Sequence, residues 1–246
     1  MSPHGDELLV SAIREALLLG GAAAGNAERA VQQQAYMKSS MPYRGLTAPE
    51  LRRLLRPILA SHRLSDRRTW QETALELWDG ATHREEWYAA LAVLRHRHYR
   101  GWQGPELLEL YLHLVRTGAW WDVVDEIAAH LVGDVLAADR AQVAPVIRAW
   151  STDDDLWVRR TGILAQLGHR AATDKRLLAD VMAANLEGSP HGSEFFVRKA
   201  VGWALRDYAR TDPAWGGGGG GPPPPPPPPP DRMSGLSRRE ALKHLR

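Results

Sequence analysis

Cysteine is absent from all 246 residues. That absence excludes disulfides, thiolate nucleophiles, cysteine-ligated zinc and iron–sulfur clusters together. Phenylalanine is almost missing as well, occurring only at 195 and 196, whereas tryptophan occurs ten times. Lysine is confined to positions 38, 175, 199 and 243, so nearly every cation is an arginine. Arginine forks bind phosphate bidentately and stack on flat rings, but a GC-rich genome produces the same bias. With a formal net charge of +2, charge alone assigns no partner. No apolar stretch reaches the roughly 18 residues that a membrane span requires. The opening segment, Met1 to Glu7, is polar and acidic and lacks the basic start of a secretory leader. A soluble, cytoplasmic protein with no membrane association is therefore expected. There is no glycine-rich phosphate loop and no Gly-x-Ser-x-Gly elbow, so nucleotide hydrolysis and serine esterase chemistry have no visible motif. The histidines, His96 and His98 among them, lack helical metal spacing and read as solvated, and no metal or cofactor is expected.

What is present is helix after helix. Leu8, Leu9, Ala12, Ile13, Ala16 and Leu17 form an apolar stripe at helical spacing. Leu51, Leu54, Leu55, Ile58 and Leu59 repeat it, as do Leu107, Leu108, Tyr111, Leu112 and Val115. Thr47 with Glu50, and Thr82 with Glu85, fit the capping box, in which a hydroxyl and an acid satisfy free backbone amides reciprocally. Gly20-Gly21, Gly80, Gly101, Gly104 and Gly118 stand where helices would end. The pattern predicts an all-α fold. More than ten helices favour an α-solenoid of HEAT-like antiparallel pairs over a single compact bundle, although no repeat is clean.

The organisation breaks near the end. Gly216 to Gly221 is an unbroken glycine run and Pro222 to Pro230 an unbroken proline run, compositions that cannot join a helical core. The tract reads as a natural low-complexity insertion, an engineered linker or a sequencing artefact. Residues 1–215 are expected to form the repeat domain. Residues 231–246, with Ser237 and Glu240 as a capping box, would add a short basic helix to it.

The chemistry concentrates in Trp120-Trp121-Asp122-Val123-Val124-Asp125. On a helix Trp121 and Asp125 lie at i and i+4, about 5–6 Å apart at Cβ. A buried face would normally take Leu or Ala there, since an unpaired acid in a core costs several kcal/mol. An acid beside a π-face suits the binding of something cationic. Trp70, Trp78, Trp87 and Trp150 read as core. The acids Asp153, Asp154 and Asp155 suit the positive start of the helix that carries Trp157 and Arg160. Arg160 borders an apolar stripe and either reaches solvent or faces a groove. Lys199 and Trp203 share a helix face at i and i+4, with Gly202 allowing close packing beside them. Tyr36, Trp121 with Asp125, Arg160 and Trp203 sit on separate helices. If a concave face collected them, it would form an Arg-lined aromatic groove suited to nucleic acid.

Three linked segments carry a family resemblance: Trp120-Trp121-Asp122-x-Val124-Asp125; Leu156-Trp157-x-x-Arg160; and Glu194-Phe195-Phe196-x-x-Lys199-Ala200-x-Gly202-Trp203-Ala204-Leu205-Arg206-x-Tyr208. In that order they resemble the AlkD-type DNA alkylation repair glycosylases, a family built from HEAT-like repeats. The resemblance runs from about Ala35 to Trp215 and returns in Leu236 to Leu245.

By that resemblance Asp125 is the catalytic acid, Trp121 and Trp203 are active-site indoles, and Arg160 is the phosphate-side partner. Tyr36 contacts DNA near the lesion, and Lys199 and Arg198 are candidate DNA contacts. The implied activity is monofunctional release of purines alkylated at N3 or N7 from double-stranded DNA, without base extrusion, by a monomer associated with the nucleoid. Such a purine is cationic and leaves neutral, so the task is to stabilise an oxocarbenium-like sugar. The alternative is a catalytically silent repeat module that binds DNA or protein. Trp120 and Asp122 point to other faces and read as packing and capping residues. The Gly/Pro tract departs from the family, standing where another helical segment belongs.

Overall fold

The computed structural model describes residues 5–213, 215 and 232–244. Among them every regular element is helical and there is no strand, as the periodicity predicts. The Gly/Pro tract at 216–230 lies outside the described residues. The chain divides into two compact units, residues 1–102 and 103–246.

The first unit contains α1 (Glu7–Ala23), α2 (Ala27–Met37), α3 (Ala48–Ser61), α4 (Arg67–Asp79) and α5 (Arg84–Leu94), followed by a 3-10 turn over Arg97–Trp102. In α1 the inward stripe is Leu9, Val10, Ile13 and Leu17, while Leu8, expected inside, is 77% exposed. The buried stripe is thus rotated from the expected one, with Val10 in place of Leu8. Trp70 and Trp78 are buried in α4, and each such large side chain contributes about 1.5–3 kcal/mol relative to exposure. Trp87 is half-buried, stacked on Trp78 at 4.6 Å, and its Nε1 donates to the Trp78 carbonyl at 2.9 Å.

Local start signals hold where a short polar side chain stands just outside the helix. Asp6, Asn26, Thr47 and Asp66 each accept from an amide in the first turn. The Thr47–Glu50 capping box forms in full. The second expected box does not. α5 begins from His83 with no side-chain cap. Glu85 instead turns inward to accept from the backbone amides of Arg44 (2.9 Å) and Leu46 (3.4 Å), and the Thr82 hydroxyl goes to Glu86. Tertiary demand for an acceptor outweighs the local box. Gly20 and Gly21 also differ from expectation, because α1 runs through them. A Cβ at Gly20 would meet Leu54 Cδ1 at 2.3 Å, so the glycine lets α3 approach.

The second unit contains α6 (Leu108–Gly118), α7 (Trp121–Glu126), a π-helical segment (Ile127–Val132), α8 (Gly133–Ala138), α9 (Arg140–Trp150), α10 (Leu156–Leu164), α11 (Lys175–Ala183), α12 (Phe195–Ala209) and α13 (Gly235–Ala241). Helices pack on their neighbours, α9 with α10 and α11, α10 with α12, and α12 with α13. Pairwise packing of this kind places the fold in the α-solenoid class. In the π segment the ladder widens by one residue, a feature that recurs at functional sites. No single helix among the described residues is long and apolar enough to cross a membrane.

α13 is capped by Ser234, whose side chain accepts from the Ser237 amide, and not by Ser237 as expected. Ser237 and Glu240 are drawn instead toward α12: the Ser237 hydroxyl donates to the Arg198 carbonyl at 2.9 Å. Gly202 is the contact point, since a Cβ there would meet the Ser237 carbonyl oxygen at 2.5 Å and Glu240 Cβ at 2.6 Å. We predict that Gly202→Val forces α13 off α12 and costs about 1–3 kcal/mol. Urea unfolding and loss of amide-exchange protection over Gly235–Ala241 would report it, and unchanged protection would refute the contact.

Candidate active site

The site lies within the second unit and is assembled from α7, α10 and α12. α6 ends in Ala119, held at φ 37 in the left-handed region that side chains rarely adopt. That turn delivers Trp120 as the residue preceding α7, with its ring packed 5.6 Å from Trp157 and 5.5 Å from Phe196. Trp157 and Phe196 close the cluster at 4.9 Å. Trp120 is therefore a packing residue, as its register suggests. Asp122 stands in the first turn of α7, where a negative charge favours the helix.

Trp121 opens α7 and Asp125 follows one turn later, so the expected i, i+4 spacing is real. Both are half-buried. From α10, Arg160 reaches across to Asp125 as a fork. Its Nε donates to Oδ1 at 2.7 Å and its Nη2 to Oδ2 at 2.8 Å. A third donor, Nη1, reaches the Phe196 carbonyl on α12 at 2.6 Å. The two side chains are 5% and 15% exposed. Arg160 thus neither snorkels to solvent nor stands alone on a groove: it joins three helices. Asp155 makes this possible by capping α10 through the Trp157 and Val158 amides, as the acid-rich start of that helix suggests.

Burial pushes the Asp125 carboxyl above the ordinary Asp range. The Arg160 hydrogen bonds and charge pull against that, Asp122 adds to the rise, and Lys199 opposes it. Lys199 is therefore close enough for its field to be felt at the carboxylate. On α12 it also lies 4.0 Å from Glu240 of α13 and over the Phe195 ring at 5.7 Å. Burial disfavours the charge on Glu240, but Lys243, Lys199 and Arg206 together outweigh it and hold that carboxyl below its ordinary range. Trp203 is half-buried one turn beyond Lys199 and shares a helix face with Phe196 by register. Arg198 is half-buried, and its carbonyl is taken by Ser237. Tyr36 belongs to the first unit, near the end of α2, and is 75% exposed.

Some participants escape sequence reasoning. Phe196 supplies a carbonyl and an aromatic floor, with the Arg160 guanidinium 5.9 Å from its ring. It stands in the third resemblance segment and is one of only two phenylalanines, but nothing in the sequence pointed to its carbonyl. Glu240 lies beyond the Gly/Pro tract, and nothing local connects it to Lys199. Among the described residues no cluster of acids and histidines could hold a metal ion.

Residues 22–218 match the family model described as DNA alkylation repair enzyme. The chain belongs to that family. A solved structure described as a predicted DNA alkylation repair enzyme from Enterococcus faecalis shares the fold at a TM-score of 0.71. It is 27% identical, over 90% of this chain and 96% of that one. No curated protein matches. As a member of the DNA alkylation repair enzymes, the chain has a role in DNA repair with DNA as the molecule acted on. The matched region contains α7, α10 and α12, and with them the whole Asp125–Arg160 assembly.

An ion pair this deeply buried behaves asymmetrically. Removing one partner leaves the other's charge uncompensated, at roughly 3–5 kcal/mol, whereas an apolar replacement of both costs far less. We therefore predict that Arg160→Leu and Asp125→Leu each lower the denaturation midpoint sharply. The double variant should recover much of the loss. Additive single effects in urea unfolding would show that the pair is not coupled.

Proposed function

We propose that this repair enzyme is a monofunctional DNA glycosylase that hydrolyses the N-glycosidic bond of purines alkylated at N3 or N7 in double-stranded DNA. The observation that carries the reading is a carboxylate, Asp125, held rigidly by two N–H donors of Arg160 one helical turn from an indole.

An alkylated purine already bears a positive charge, so it departs with the C1′–N bonding pair as a neutral base. The bond that breaks is C1′–N and the bond that forms is C1′–O to water, whose proton passes to solvent. Positive charge grows on the deoxyribose between these events. Each Asp125 oxygen accepts one Arg160 donor, and each retains a further lone-pair site. Those sites face the developing cation or orient the water, and the flanking indoles of Trp121 and Trp203 add their π-faces. Arg160 acts here as the positioning residue that keeps the carboxylate from turning away. Lys199 and Arg198 are proposed to meet phosphates, and Tyr36 to contact DNA from the first unit. A concave groove gripping sugar and backbone would need no extrusion of the base. The reading further takes the enzyme to be a cytoplasmic monomer that meets its substrate at the nucleoid.

The test is release of 7-methylguanine from duplex DNA. Asp125→Asn keeps the shape and one acceptor but removes the charge, and its rate should fall by at least about a hundredfold. Trp121→Ala should fall less steeply. Equal release by the wild type and Asp125→Asn would favour a catalytically silent DNA- or protein-binding module.

The acid limb gives a second check. Because burial raises the Asp125 carboxyl, proton uptake removes its charge at higher pH than for a surface aspartate. Base release should therefore decline as pH falls, beginning above the usual carboxylate range, and Asp125→Asn should lack that decline. A limb at or below the range of an exposed aspartate would contradict the assignment.

A further inference from the structure

The first unit holds a cavity of about 190 Å³ lined by Arg63, Leu64, His98, Tyr99 and Trp102. It is far larger than one ordered water requires, and nothing in the glycosylase reading uses it. Tyr99 and Trp102 stack at 5.0 Å with an interplanar angle of 17°, giving it a flat aromatic wall. The Tyr99 hydroxyl is pinned, accepting from the Leu64 amide at 3.2 Å and donating to the His62 carbonyl at 3.5 Å. That wall is preorganised.

The polar side of the cavity is formed by Arg63, which is exposed, and His98. Arg63 Nη2 lies 3.5 Å from His98 Nε2. Arginine only donates, so Nε2 accepts and the proton sits on Nδ1. His98 Nδ1 is buried with no hydrogen-bond partner, and so is Nδ1 of His96, whose ring lies 4.3 Å away edge-on. Both imidazoles are half-buried, contrary to the solvated reading of the sequence. Burial, then the charges of Arg63 and Arg97, make further protonation of His98 unfavourable. No carboxylate lines the cavity among the described residues. The neighbouring Asp66 is committed to capping α4 through the Thr69 amide and hydroxyl.

We propose that this cavity is a phosphate site of the nucleotide kind. Arg63 takes the phosphate oxygens, and the half-buried Trp102 ring, backed by Tyr99, takes the attached sugar or base. Guanidinium forks suit phosphate, and stacked rings accept any nucleobase face. The same chemistry fits a free nucleotide or a phosphate of the DNA backbone.

Calorimetric titration of the full chain with inorganic phosphate, dAMP and undamaged duplex DNA tests the proposal without reference to base release. Phosphate should bind weakly and dAMP more tightly. Arg63→Gln, at an exposed position, should weaken phosphate by about tenfold. Trp102→Leu should weaken dAMP while leaving inorganic phosphate unchanged. Displacement of phosphate by dAMP alone would identify a free nucleotide, and displacement by duplex as well would identify a backbone phosphate. Absence of phosphate binding up to tens of millimolar would overturn the proposal. So would equal binding by wild type and an Arg63→Gln variant with an unchanged circular dichroism spectrum.

Discussion

The bidentate contact between Arg160 and Asp125 is the constraint on which the second unit depends. It takes charge into the interior, and it is tolerable because donors and acceptors are matched almost one for one. Arg160 spends its fork on the carboxylate and its remaining guanidinium edge on the Phe196 carbonyl. One side chain thereby fixes the relative positions of α7, α10 and α12. The same restraint keeps the carboxylate in a single orientation, which the proposed stabilisation of a growing cation would require. Stability and chemistry draw here on one geometry.

Around the pair the structure builds an aromatic floor. Trp120, Trp157 and Phe196 meet within 5.6 Å of one another, beneath the elements that carry Asp125 and Arg160. Burial there strengthens the ion pair and also raises the cost of the charge on Asp125. On the other face of α12, the close approach at Gly202 brings Glu240 to Lys199. A segment beyond the Gly/Pro tract thus conditions a cation whose field reaches the site.

Much of this was legible in the sequence because it is local. Helical periodicity announced the elements, Thr47 and Asp155 announced helix starts, and the spacing of Trp121 and Asp125 announced a shared face. The role of Gly202 as a close-packing point was also readable, although its partner was not. What escaped depends on distant partners. Thr82 and Glu85 satisfy a capping pattern, yet Glu85 is claimed by amides about forty positions away in the chain. Ser237 is diverted from capping by the Arg198 carbonyl in the same manner. Leu8 belongs to an apolar stripe by spacing but faces outward because the packed face of α1 is rotated toward Val10. Arg160 was readable as unusual, but its pairing with the Asp125 carboxylate and the Phe196 carbonyl depends on α7 and α12, which are distant in the chain.

The π-helical segment at Ile127–Val132 follows directly upon α7. It works as a phase shifter. An α-helix advances about 100° per residue, so one additional residue in a turn offsets everything downstream by about that angle. Upstream, the offset leaves Asp125 turned toward Arg160. Downstream, it leaves Leu131, Val132, Val135 and Leu136 turned into the core. A regular helix of the same composition could satisfy one of these orientations but not both. Deleting a single residue between 127 and 132 would therefore be a rotation more than a shortening. The hydrophobic face could stay seated only by swinging the carboxylate away from its guanidinium.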